Sequence, residues 1–216
     1  MRFPGGLKVE MKELKYEVLE DGSLVREVSI KNIRPCIATE GKVRVLMQLD
    51  SSLEEIISSL VSMYPPGKVN YVEKKKILTL SIYGRLVTLY PSGKVTMNKT
   101  LDKEDAVEII TDVMKAINQA YDNLESYSND SKAIEKLDIS NISQIGPMDI
   151  YNCLPQTDCA ECGEKTCMAF SFKVLSGDKP LNECFPLQEP WHQAQTQCLE
   201  KLLGPEMMNT LGWEGY

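Results

Sequence analysis

Charged and apolar residues alternate along the first part of the chain. Over residues 8–34 the pattern runs Lys8, Val9, Glu10 and again Leu24, Val25, Arg26, Glu27, Val28. This is the period-two signature of half-buried strands, and Asp21-Gly22 between them supplies turn chemistry, so a β-hairpin is predicted. Lys42–Leu49 (KVRVLMQL) alternates in the same way. The period then changes. Leu53, Ile56, Ile57, Leu60 and Val61 recur at helical spacing behind Ser51 and Glu54, a capping-box pair, and Pro65-Pro66-Gly67 closes the predicted helix. Short strands are predicted at Val69–Val72, Ile77–Tyr83, Leu86–Tyr90 and Val95–Asn98, joined by turn residues at Glu73–Lys76, Gly84-Arg85 and Pro91-Ser92-Gly93. A long helix from Leu101 to Leu124 carries one apolar stripe of Ala106, Val107, Ile109, Ile110, Val113, Met114, Ile117, Ala120 and Tyr121. These elements predict an α+β fold, an antiparallel sheet with helices on one face.

The element order, with LYPSGKV at Leu89–Val95 and the acidic DKEDAVEII that opens the long helix, resembles one half-repeat of the TATA-binding-protein fold over residues 40–123. No second copy follows, and that family needs two to form its DNA saddle. Residues 125–146 (ESYSNDSKAIEKLDISNISQIG) are polar, rich in Ser and Asn and weakly periodic, a linker. The expected organisation is an α+β domain over 1–124, a linker over 125–146 and a small, mostly helical domain over 147–216 that ends in a helix.

Charge divides the chain at the same place. Residues 1–123 hold 18 Lys/Arg against 17 Asp/Glu, a net +1, whereas residues 124–216 hold 6 against 14, a net −8. Nucleic acid is therefore an unexpected partner, because phosphates call for a basic surface. Lys74-Lys75-Lys76 reads as a solvated turn. The N-terminus has charges every few residues and no apolar h-region, and no apolar run approaches the ~20 residues of a membrane helix. No membrane association is expected, and the expected compartment is the cytoplasm. In that reducing setting seven cysteines suit metal or redox chemistry better than a disulfide framework.

Three of those cysteines fall within CAECGEKTC, Cys159 to Cys167, and with Cys184 they form a C-x2-C-x4-C-x16-C spacing. Three clustered thiolates and a distant fourth suit a [4Fe-4S] cubane, where a tight loop wraps three corners and a returning segment closes the last. Ala160 and Gly163 are small enough for the backbone to approach the sulfides. Cys167 opens an amphipathic run, Met168 to Ser176, with Gly177 as its C-cap, and such a helix aims its positive end at an anionic cluster. Zinc is the rival, although its structural sites usually take two close cysteine pairs and Cys184 stands alone. A redox dithiol and a set of inert buried thiols complete the alternatives.

The stretch IYNCLPQTDCAECGEKTCMAF resembles the cluster-binding domain that opens the large (gamma) subunits of the corrinoid iron–sulfur proteins of acetyl-CoA decarbonylase/synthase. It is similar too to the four-cysteine module of Rnf complex B subunits. The likeness covers residues 147–187, with Leu154-Pro155, Thr157, Gly163, Thr166, Met168-Ala169-Phe170, Gly177 and the four cysteines in register. It implies that Cys159, Cys162, Cys167 and Cys184 bind one [4Fe-4S] cluster that passes electrons. Phe185 departs from the family, which often has proline directly after the last cysteine. Only residues 188–216 follow, so no corrinoid-binding barrel is expected here.

Cys153, Cys36 and Cys198 lie outside the motif and read as buried spare thiols. The one histidine, His192, lacks partners for acid–base work and reads as a packing residue. No phosphate loop, nucleophile elbow or carboxylate pair is present. The expected function is one-electron transfer, or reductive activation of a protein partner with a basic docking surface, in anaerobic one-carbon, corrinoid-linked metabolism. That is an accessory role rather than an enzyme's. The alternatives are a redox-sensing regulator that binds nucleic acid and a subunit whose cluster is structural.

Overall fold

In the computed structural model the alternating segments pair into one seven-stranded antiparallel sheet of order β1-β2-β3-β7-β6-β5-β4. The structure describes residues 14–17, 22–37, 39–128, 142 and 144–213. The strands are β1 (Leu14–Glu17), β2 (Glu27–Pro35), β3 (Val43–Leu49), β4 (Val69–Val72), β5 (Ile77–Ile82), β6 (Arg85–Leu89) and β7 (Lys94–Thr100). Two meanders, β1–β3 and β4–β7, meet where β3 pairs with β7, with Met47 opposite Val95 and Val45 opposite Met97. Cross-strand partners carry the apolar face across the sheet: Leu80 faces Val69 and Val87, Leu78 faces Leu89, and Met47 faces Ile30. All of these side chains are buried. On the opposite face Thr79 and Thr88 share a hydroxyl hydrogen bond of 3.0 Å.

Helix α1 (Lys103–Ser128) covers the apolar face with Ala106, Ile109, Ile110, Val113, Met114, Ile117 and Ala120, all buried. Its start is fixed by two aspartates. Asp102 Oδ1 accepts from the Asp105 N–H at 2.8 Å, while Asp105 Oδ2 accepts from the Leu101 N–H at 2.8 Å. Strands β1 and β2 pair antiparallel, as the predicted hairpin requires, and Asp21 of its turn signal lies outside the described residues. The β5–β6 turn falls on Tyr83-Gly84, one residue before the predicted Gly84-Arg85. Both residues have positive φ (47° and 76°), which suits the right-handed twist of a two-residue hairpin.

The predicted helix behind Ser51 is not formed. Residues 54–58 make turns and Ser59–Met63 a short 3-10 helix. The Ser51 hydroxyl donates to the Leu24 carbonyl instead of capping. The apolar stripe is nonetheless used: Leu53, Ile56, Ile57, Leu60 and Val61 are buried, so tertiary packing rather than an α-helix's own hydrogen bonds holds the segment. Lys74–Lys76 sit, exposed, in the turn after β4, where Lys76 pairs with Glu54 at 3.2 Å.

Helix α1 passes the boundary expected at residue 124, and most of the predicted linker lies outside the described residues. Helices α2 (Pro147–Asn152), α3 (Cys167–Leu175) and α4 (Gln193–Thr210) make up the C-terminal part, and α4 is interrupted at Gly204-Pro205. This part packs on residues 53–68 of the sheet region. Thr210 Oγ1 donates to the Ser62 carbonyl at 2.7 Å, and Lys68 pairs with Asp178 at 3.9 Å. One buried cluster runs from Val25 to Trp213. No helix among the described residues is long and apolar enough to cross a membrane.

Candidate metal centre

The loop from Pro155 to Thr166 carries the first cysteines and bends unusually often. Gln156, Asp158, Ala160 and Gly163 all have φ between 48° and 82°. Left-handed residues are costly outside glycine, and these four curl the loop tightly. The loop is then tied to the helix that follows. Asp158 Oδ1 accepts from the Cys167 N–H at 2.7 Å, and Thr166 Oγ1 caps α3 by accepting from the Ala169 N–H at 3.1 Å. Cys167 is thereby the first residue of α3, at the positive end of its dipole.

The far end of α3 closes as the sequence predicts. The Gly177 N–H donates to Val174 O and the Asp178 N–H to Lys173 O, a Schellman motif with Gly177 at φ 68°. The chain then returns towards the loop. Lys179 Nζ donates to the Cys162 carbonyl at 2.6 Å and to Glu183 Oε2 at 2.9 Å. The Leu181 N–H is held by Leu211 O at 2.7 Å. Cys184 follows on this returning segment, within electrostatic reach of Cys167, Cys162 and Cys159.

The four thiols share one neighbourhood that runs from solvent into the core. Cys159 is exposed, Cys162 half-buried, and Cys167 and Cys184 are 8% and 5% exposed. Burial pushes the Cys184 thiol up to about 11; a Leu187 backbone N–H eases it, and negative charge on Cys167, Cys162 and Cys159 raises it further. A cationic metal centre would reverse that preference, since a coordinating thiol gives up its proton. Among the described residues no three His, Cys, Asp or Glu side chains close tightly enough to hold a single metal ion. A cubane asks for something else, one thiolate at each of four separate iron corners. Four thiols, a tightly curled loop and a helix N-terminus suit such an anionic group.

Two of the other cysteines depart from expectation. Cys153 and Cys198 are not spare thiols but a disulfide, with Cα atoms 5.4 Å apart. Sequence reasoning missed the pair because 45 residues separate its members and only the packing of α2 against α4 brings them together. Cys36 follows β2 and is half-buried. His192 stands at the N-terminus of α4, half-buried, and its Nδ1 has no hydrogen-bond partner, like Oε1 of Gln195 one turn on. Asp158 and Lys179 were missed as organisers of the loop, because neither partner is within helical or hairpin range.

The comparisons agree with this geometry at the level of class. Residues 154–186, which include all four motif cysteines, match the family described as "Putative Fe-S cluster". The cysteine-rich segment is thus similar to segments of an iron–sulfur family. Named relatives follow from the same part of the chain. The gamma 1 subunit of the acetyl-CoA decarbonylase/synthase complex of Methanosarcina thermophila is 42% identical over 62 residues, 28% of this chain and 13% of that subunit. The gamma subunit from Methanocaldococcus jannaschii is 36% identical over 62 residues, 29% of this chain and 13% of the subunit. That from Methanopyrus kandleri is 32% identical over 74 residues, covering 34% and 15%. The chain therefore spans only about an eighth of the length of the first of these relatives. No solved structure matches it.

Proposed function

We propose that this protein carries one [4Fe-4S] cluster on Cys159, Cys162, Cys167 and Cys184 and passes electrons singly to a separate protein. The observation that supports this most directly is that Cys159, Cys162 and Cys167 share one loop and helix start with Cys184 in electrostatic reach of all three, Cys159 being exposed and the other three progressively more enclosed. When bound, the cluster supplies a reversible one-electron couple. The chain's own part is to hold four thiolates, to keep water from the Cys167 and Cys184 side, and to leave the Cys159 side open to a partner.

The relatives named above are subunits of a complex, which supports a protein partner; the setting we infer is anaerobic one-carbon, corrinoid-linked metabolism in the cytoplasm. Exposed Glu161 and half-buried Glu164 lie in the cysteine loop, and with the surplus of acid in the C-terminal part they favour a partner with a basic docking surface. In this reading residues 1–124 form the platform, 125–146 the connection and 147–216 the cluster unit.

The burial of Cys167 and Cys184 within the common core favours one second reading, a cluster that only staples the fold. One experiment separates the two. Protein prepared and reconstituted without oxygen should be brown, with about four iron and four sulfide per chain. It should also bleach on reduction, giving the paramagnetic signal of a reduced cluster. Stoichiometric zinc without iron sinks the proposal, and a cluster that no low-potential reductant reduces leaves the staple.

A further inference from the structure

Cys153 and Cys198 lie outside the four-cysteine motif but bracket it. Cys153 follows α2, where its N–H donates to the Ile150 carbonyl, and Cys198 lies in the second turn of α4. Ile150 and Leu154 beside the first, and Leu199 beside the second, are buried in the common core. Helix packing thus brings the two sulfurs together, and the 5.4 Å between Cα atoms suits a disulfide without backbone movement. The 45-residue separation encloses Cys159, Cys162, Cys167 and Cys184 in one covalent loop.

We propose that Cys153 and Cys198 are a second redox centre, a reversible disulfide that ties the two ends of the cluster-binding segment together on oxidation and is opened by a small dithiol. Cys198 is half-buried and Cys153 is 5% exposed, so exchange starts at the Cys198 sulfur. A thiolate of the dithiol attacks it, the S–S bond breaks, and Cys153 leaves as a thiolate that takes up a proton. The reductant's second thiol then displaces Cys198 from the mixed disulfide. The products are two protein thiols and one oxidised dithiol, two electrons having passed to the protein. Closure runs in the opposite sense with a small-molecule disulfide as oxidant, which is released as two thiols. The closed bond restricts the excursions open to the segment whenever its packing loosens, and so keeps the four motif thiols near one another when the cluster is most exposed to loss. The inference rests on the iron–sulfur reading only for its second measurement.

Full-length protein reconstituted without oxygen is divided, treated with oxidised glutathione or dithiothreitol, alkylated under denaturing conditions, digested and mapped without reduction. The expected result is one linked peptide holding Cys153 and Cys198 after oxidised glutathione. After dithiothreitol, applied to the folded protein, two separately alkylated peptides should replace it. Iron release to a chelator, followed by loss of cluster absorbance, should be several-fold slower in the closed form. The Cys153→Ser/Cys198→Ser variant should match the open form under both treatments. Absence of the linked peptide after oxidation overturns the proposal. So does a link that dithiothreitol leaves intact in the folded protein, or equal release from both forms. Mapping uses the wild-type chain and does not depend on the variant folding. If the chain holds no iron, the iron–sulfur reading fails and mapping alone decides the cysteine pair.

Discussion

The ammonium of Lys179 reaches back 17 residues to the carbonyl of Cys162 at 2.6 Å, and it also holds Glu183 at 2.9 Å. The hydrogen bond to Glu183, then the charge of Glu183, Glu164 and Cys162, hold the lysine above its ordinary value against the opposing effect of burial, so it is a fixed cation beside the cysteine loop. Reducing a cluster adds negative charge, which a nearby cation stabilises. Lys179→Met should therefore lower the reduction potential, with Lys179→Arg restoring most of it. Redox titration followed by paramagnetic resonance tests this. An unchanged potential in the methionine variant, with full iron content, would show that the cluster does not sense the ammonium.

Alanine at Cys159, Cys162, Cys167 or Cys184 should each prevent assembly of the intact cluster, read as iron and sulfide per chain and visible absorbance. Cys36→Ala should leave the cluster in place. Cys198→Ala should also keep it under anaerobic assembly, while costing the oxidised protein up to about 4 kcal/mol of stability, the chain-entropy estimate for a loop of this length. Loss of iron from Cys198→Ala but not from Cys184→Ala would reassign the fourth ligand.

The junction between sheet and cysteine-rich part is closed by two glycines. A Cβ on Gly177, at φ 68°, would come 2.5 Å from Pro65 Cγ, and one on Gly67 would come 2.7 Å from the Leu175 carbonyl oxygen. Each Gly→Ala change should destabilise the protein by roughly 1–3 kcal/mol, as forced overpacking does. Urea titration gives the size of the loss. The two changes should not be additive, because both push the same pair of surfaces apart.

Tyr64 precedes Pro65 at this junction, and its hydroxyl is pushed up to about 12, chiefly by burial and then by the charge of Asp112. The folded state holds its proton more tightly than the unfolded chain, where tyrosine titrates near 10. The sign follows from that order: the contribution is whole below about pH 10 and is lost as pH rises through about 12. It should reach roughly 2–3 kcal/mol. Tyr64→Phe should lose less stability than wild type between pH 10 and 12 in denaturant titrations. Equal losses would place the alkaline sensitivity elsewhere.

Replacing Glu161 and Glu164 by Gln removes one exposed and one half-buried charge from the loop. Electron transfer to a basic partner should slow at low salt, with the difference shrinking as ionic strength rises. Asp158 is left out of this variant because its carboxylate binds the Cys167 N–H. Stopped-flow rates that do not change with salt, or that rise in the variant, would mean that electrons leave by another face.

The local patterns were legible in the chain by itself. Period-two alternation is a property of neighbouring residues, and it located β3 to β7 to within a residue or two. The stripe of α1 and the Schellman end of α3 at Gly177 are equally local, as is the cysteine spacing that matches an iron–sulfur family. What the tertiary structure decided depends on groups far apart in sequence. Ser59–Met63 is a 3-10 turn because buried contacts with the sheet, α1 and α4 outweigh the helical preference of its stripe. Lys179 finds Cys162, Asp158 finds Cys167, Thr210 finds Ser62, and Cys153 bonds Cys198. Spacing within a chain cannot specify such pairs, because they exist only after helices have packed and brought their ends together.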